Sequence, residues 1–188
     1  MAFDSTVYKA ELQISDMDRH YYATHALTVA RHPSETEERL MVRLLAFAML
    51  ADDRLGFAKD LDSDYEPGLW RKEMNGEIGQ WVELGQPDEQ RVRRACSRSH
   101  QVTVINYDGR VADLWWEKNQ SSLLRLKNLT VINIAPETTE ALANWAARSM
   151  RIQCLVQDGL MQWLNDADAI TVEYDVRMSP PSTQRWAA

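Results

Sequence analysis

Two hydrophobic periods divide this chain. Tyr8, Ala10, Leu12 and Ile14 alternate with Lys9, Glu11 and Gln13, the period-two pattern of a strand with one buried face. Asp16-Met17-Asp18 supplies turn chemistry. Tyr21, Ala23, Leu27 and Val29 then resume the alternation, so the N-terminus predicts a β-hairpin. His25 falls on its apolar face as an ordinary sheet histidine. The period changes after Pro33. Ser34 stands three residues before Glu37, the spacing of a capping box. The run that follows is apolar nearly all round after Arg43, which predicts a helix in the centre of the protein.

Residues 55–84 predict three extended segments, separated by an acidic loop and an Asn75-Gly76 turn. Asp88 then opens a second helix as its N-cap or first-turn acid, with Val92, Ala95, Cys96 and Ser99 as the buried stripe. A β-branched strand at 102–105, a helix over 111–118, a strand over 129–134 and a helix from Pro136 through Trp145 follow. The chain ends in a meander turned at Asp158-Gly159, with a last strand running from Ile170 to Val176. Strand–helix–strand crossovers require parallel pairing, whereas the terminal hairpins are antiparallel. The expected fold is one mixed α/β domain over 1–178, its antiparallel terminal pieces joined, with 179–188 a flexible tail.

Composition narrows the class. At 188 residues, 45% apolar and 26% charged, with seven Gly and six Pro, the chain is neither disordered nor low-complexity. Two cysteines exclude a disulfide framework. Cys96 and Cys154 fall on apolar stripes and are expected as core thiols. No start resembling a signal peptide and no run near the ~18 apolar residues of a membrane span is present. A soluble, cytoplasmic protein without a membrane partner is expected. The net charge of −7 weighs against indiscriminate nucleic-acid binding, although a metal-dependent nuclease also carries acids at its centre.

The segment "ARHPSETEERLMVRLLAFAML", with "DYEPGLW", "IGQWVELGQPDEQRVRRAC", "SLLRLKNLTVINI" and the "QDG" hairpin, resembles the bacterial YaeQ family over nearly the whole chain. Residues 33–107, as helix, three strands, helix and strand, resemble the core of the PD-(D/E)XK, or restriction endonuclease-like, nuclease fold, of which that family is a variation. The resemblance implies such a core extended by antiparallel N- and C-terminal strands. It admits Mg²⁺ or Mn²⁺ as ions, though it makes no cofactor certain, and nucleic acid or another protein as partner.

What the resemblance implies for single residues is specific. Nucleases of this fold hold metal with carboxylates from the second and third core strands, polarising the phosphate and activating a water. Glu83 matches the strand acid, with an arginine-paired structural carboxylate as the plainer reading. Two residues on, Gly85 replaces the lysine that normally assists the water. Glu66 is the candidate second metal acid, with Asp62 and Asp64 as alternatives. Glu38 joins them from the first helix, where Met41, Val42 and Leu45 place it toward the buried side. Arg91, Arg94 and Arg98 form one helix stripe suited to phosphate or substrate, or else a solvated face. Gln86 could bond a phosphate or cap the turn. The missing lysine favours a non-catalytic, degenerate member acting as a binding or regulatory module. The alternative is a Mg²⁺-dependent nuclease or phosphodiesterase using Glu66, Glu83 and Glu38.

Overall fold

The computed structural model describes residues 5–59 and 65–181. Its elements, in order, are β1 (Thr6–Asp16), β2 (Tyr21–Arg31), α1 (Glu37–Met49), β3 (Leu55–Phe57), β4 (Leu69–Lys72), β5 (Ile78–Leu84), α2 (Glu89–Arg98) and β6 (Ser99–Asn106). There follow α3 (Arg110–Leu123), β7 (Leu129–Ile134), α4 (Pro136–Ala143), β8 (Ser149–Gln157), β9 (Leu160–Leu164), β10 (Ala169–Val172) and β11 (Tyr174–Met178). The chain divides into two compact units: the N-terminal part up to Ala48 with Glu137–Glu173, and Met49–Pro136 with the chain from Tyr174 onward. Residues 33–107, the expected nuclease-like core, draw on both. The expected tail falls largely on residues 182–188, outside the described ones. No helix among the described residues is long and apolar enough to cross a membrane.

The first unit is built on a five-stranded sheet in the order β10-β9-β8-β1-β2. The predicted alternation is realised: Tyr8, Ala10, Leu12 and Ile14 are buried, while Lys9, Glu11 and Gln13 face solvent. The two terminal hairpins join through β1 and β8, which pair in parallel with Leu12 beside Ile152 and Ile14 beside Cys154. Asp158 and Gly159 both have positive φ, the geometry of the tight turn that matches strand twist. In α1 every residue from Leu40 to Met49 is buried, Arg43 included.

The N-terminus of α1 differs from the capping-box expectation. Thr36 Oγ1 accepts from the Arg39 backbone N–H at 3.1 Å, so Thr36 is the cap. Ser34 instead bonds His32 Nδ1 at 2.6 Å, two residues too early for the helix. The reason is Glu35, 6% exposed, whose carboxylate turns inward to Arg43 and holds the entry segment in a turn before the helix starts.

The second unit is a six-stranded sheet in the order β11-β7-β6-β5-β4-β3. Strands β5, β6 and β7 are parallel neighbours, joined through α2 and α3, as crossovers require. Strands β3, β4 and β5 form an antiparallel meander. Val92 and Ala95 of α2 and Trp115 and Leu123 of α3 pack with Trp81, Val102, Val104, Leu129 and Val131 of the sheet. The expected last strand is two strands. The chain breaks at Glu173, so β10 pairs with β9 in the first sheet and β11 pairs antiparallel with β7 in the second. Helix α3 runs further than the pattern predicted, to Leu123, and α4 stops earlier, at Ala143.

Candidate functional site

Glu83 is the penultimate residue of β5, on the face that Trp81 shares with α2. It is 5% exposed, and a buried carboxylate needs hydrogen-bonded partners. It has them: Oε1 accepts from the Trp81 indole N–H at 2.7 Å and from Arg91 Nε at 2.8 Å. Arg91 is placed by the start of α2, where the Asp88 carboxylate caps its backbone N–H at 2.9 Å. The other arm of the guanidinium donates to the Glu66 carbonyl at 2.7 Å. One arginine thus ties the third strand of the meander to the loop before the second.

The remaining predicted residues take separate roles. The Glu66 carboxylate accepts from the Lys59 backbone N–H at 3.2 Å. Asp62 and Asp64 lie outside the described residues. Gln86 Nε2 donates to Asp108 Oδ2 at 3.2 Å while its Oε1 accepts from the Tyr107 backbone N–H at 3.3 Å, closing the loops after β5 and β6. Arg94 is half-buried and Arg98 exposed. Neither side chain makes a hydrogen bond or ion pair among the described residues, so of the three-arginine stripe Arg91 is the member engaged with Glu83. Glu38 belongs to the first unit, half-buried, where it accepts from Thr139 Oγ1 at 2.6 Å.

Gly85 explains its own identity. Its φ is +90°, a region where side chains are strained. Its carbonyl accepts from Asn106 Nδ2 at 2.8 Å. A lysine there would need a different backbone.

As bonded here, Glu83 does not fit a divalent cation. Its Oε1 already holds a guanidinium and an indole N–H, and the fixed positive charge beside the carboxylate repels a second one. Among the described residues, no three His, Cys, Asp or Glu side chains converge as a ligand set.

Sequence reasoning missed two polar features. Glu35 and Arg43 form a buried pair, Arg43 Nη1 donating to both carboxylate oxygens at 3.2 and 3.3 Å and to the Ala30 carbonyl at 2.9 Å. Burial pushes the Arg43 guanidinium below its ordinary pKa, and Glu35 opposes that shift. An acid just before a helix and an arginine inside its apolar run were the available signal. The second is Asn106 beside Asn133, buried neighbours at the carboxyl ends of β6 and β7. Each ends a β-branched run, where an amide is out of pattern. Of the two expected core thiols, Cys154 is buried, whereas Cys96 is half-buried against the core; burial pushes its thiol up to about 11, with Arg93 opposing.

The family model described as YaeQ protein matches residues 1–174. The chain belongs to the YaeQ family. It is 42% identical over 166 residues to the uncharacterized protein YaeQ of Escherichia coli (strain K12), covering 88% of this chain and 91% of that one. Its Salmonella typhi counterpart is 41% identical over 167 residues, covering 89% and 92%. The crystal structure of YaeQ protein from Xanthomonas axonopodis pv. citri superposes with a TM-score of 0.91 at 52% identity, over 94% of this chain and 99% of that one. That from Pseudomonas syringae gives 0.88 at 32% identity, over 93% and 97%. The mixed α/β fold is therefore that of the family.

Proposed function

We propose that this chain is a non-catalytic member of the PD-(D/E)XK nuclease-like fold that acts as a binding or regulatory module. The carrying observation is the arginine seated on Glu83: the acid that would hold a metal instead anchors Trp81 and Arg91. Gly85, at positive φ, stands where a lysine would assist the water. The fold assignment is supported by element order. A helix precedes a three-strand antiparallel meander, a helix and a parallel fourth strand, in the spatial order β3-β4-β5-β6. The module reading leaves Arg94 and Arg98 as cations open to an anionic partner, protein or nucleic acid.

The nuclease alternative, with Mg²⁺ on Glu66 and Glu83 and support from Glu38, needs Arg91 to leave Glu83 when metal arrives. Mn²⁺ titration followed by electron paramagnetic resonance, with cleavage assays on plasmid DNA and structured RNA, separates the readings. The module reading expects no saturable Mn²⁺ binding that depends on Glu83, and no cleavage. It also expects Mn²⁺ affinity to rise in Arg91→Ala, where the carboxylate is released. Wild-type cleavage that disappears in Glu83→Gln overturns it.

A further inference from the structure

The first unit carries an interrupted strand edge. Strand β8 spans Ser149–Gln157, but β9 pairs only with Gln153–Gln157 before the chain turns away at Asn165. The polarity of the open stretch follows from the register. The Lys9 N–H donates to the Arg148 carbonyl at 2.9 Å, and Lys9 and Glu11 stand opposite Ser149 and Arg151. In a parallel ladder this directs the N–H and C=O of Met150 and Ile152 toward β1, and those of Ser149 and Arg151 away from it. Among the described residues, Ser149 and Arg151 have no other main-chain partner. They border open space: a cleft of about 260 Å³ runs between Ser149–Ile152 and the Asn165–Ala167 loop, with Trp145 at one wall. It adjoins a cleft of about 560 Å³ over the outer face of the sheet, where Lys9, Glu11, Arg151 and Asp166 stand.

We propose that this edge binds an extended peptide with an acidic side chain, which continues the line of β9 along Ser149 and Arg151. The backbone chemistry selects the class of ligand. Two N–H and two C=O groups at strand spacing, pointing one way, are satisfied together by another extended main chain. The charge selects the side chain. A peptide residue opposite Arg151 projects on the same face as its guanidinium, at cross-strand distance. Arg151 is free to respond, because its ion pair with Glu11 is long at 3.3 Å and its side chain is 72% exposed. Lys9 and Arg151 stand against Glu11 and Asp166 along these two clefts, so the edge is locally balanced in a chain whose net charge is −7. A short strand stretch flanked by cations is also how edges avoid indiscriminate pairing. The inference does not rest on the Glu83 reading and concerns the other unit.

The test uses the full chain, ¹⁵N-labelled, and an acetylated, amidated Val-Thr-Val-Glu-Val-Thr peptide. The expected result is saturable movement of the Ser149 and Arg151 amide resonances, with their hydrogen exchange slowed roughly tenfold or more as they gain acceptors. The same peptide N-methylated at alternate residues should not bind. Lysine in place of its glutamate should weaken binding several-fold, and Arg151→Glu should reverse that preference. Ser149→Pro removes one donor at the first residue of the strand, a position that accepts proline, and should weaken binding while the remaining spectrum is retained. The proposal is overturned by fixed Ser149 and Arg151 resonances at millimolar peptide, by equal binding of the N-methylated peptide, or by indifference to charge reversal. If Ser149→Pro does not fold, the peptide-side changes decide alone.

Discussion

Each unit buries a carboxylate against an arginine eight residues later, and the two pairs differ in what surrounds them. In the first unit Glu35 and Arg43 are both sealed, their side chains 3% exposed each, with Arg39 a distant third partner at 4.0 Å. In the second, Glu83 is 6% exposed at the side chain but Arg91 is 21% exposed, and its contacts reach a strand, a helix and a loop. The first pair fastens the chain entering α1. The second ties β5 to α2 and to the loop before β4, at the acid that the proposed nuclease-like reading would give to a metal. A buried acid alone therefore does not mark a site. What distinguishes the pairs is whether the cation has a route back to water, because only then can it exchange the carboxylate for something else.

The largest effect expected is from breaking the sealed pair. Glu35→Ala leaves Arg43 charged and without its acid, which should cost about 3–5 kcal/mol in urea unfolding of the full chain. Glu83→Ala should cost less, roughly 2–3 kcal/mol, because the partly exposed Arg91 can rehydrate. Replacing both members, Glu35→Leu with Arg43→Met, should recover most of the loss, since a buried pair exchanged for apolar volume is nearly neutral. Equal costs for the two single acids would erase the distinction between sealed and open pairs. Glu83→Ala costing more than Glu35→Ala would reverse it.

How far the sequence discloses this depends on whether a residue's neighbours are local. The strands of both sheets are legible because a half-buried strand writes its face in alternate letters, as Tyr8 to Ile14 do. The central sheet strands are legible as β-branched runs. An arginine on Glu83 is the plainer of the two readings the sequence offers, but which arginine it is depends on how α2 packs on the sheet. The break at Glu173 is invisible: Ile170, Val172, Tyr174 and Val176 keep one alternation across two sheets. Period two reports which way a side chain faces and says nothing about which sheet it faces in. Glu35 was missed for a related reason. It precedes the helix, so no period includes it, and its partner is fixed by three-dimensional packing. The interrupted pairing of β8 is likewise a property of where β9 ends.

Glycine positions sharpen the comparison at intermediate cost. Gly85→Ala should destabilise by about 1–3 kcal/mol, because it forces a side chain into positive φ beside the Asn106 amide. Gly56→Ala should be within roughly 0.5 kcal/mol of wild type, since no atom lies within 4 Å of the added methyl and its φ is ordinary. Thermal unfolding of the two variants side by side checks this. If Gly85→Ala is as stable as wild type, the backbone can adapt, and restoring a lysine there becomes a fair test of lost catalysis. If it is strained as expected, failure of Gly85→Lys to yield activity carries no information about the acids.

The smallest effects concern the two helix caps, and they return to the two pairs. Thr36 caps α1 beside Glu35, and Asp88 caps α2 through the backbone N–H of Arg91 itself. Removing a single cap costs about 1 kcal/mol, so Thr36→Ala and Asp88→Ala should be similar in size, and Ser34→Ala close to zero because Ser34 is not a cap. Their couplings should differ. Asp88→Ala loosens the turn that aims Arg91, so part of the value of Glu83 is lost with it. A double-mutant cycle of Asp88→Ala with Glu83→Ala should show at least about 0.5 kcal/mol of interaction. The cycle of Thr36→Ala with Glu35→Ala should show less, because Arg43 lies beyond the first turn and is held by the Ala30 carbonyl as well. A larger coupling at Thr36 than at Asp88 would mean that the sealed pair, not the open one, depends on its helix start, and the contrast between the two arginines would have to be sought elsewhere.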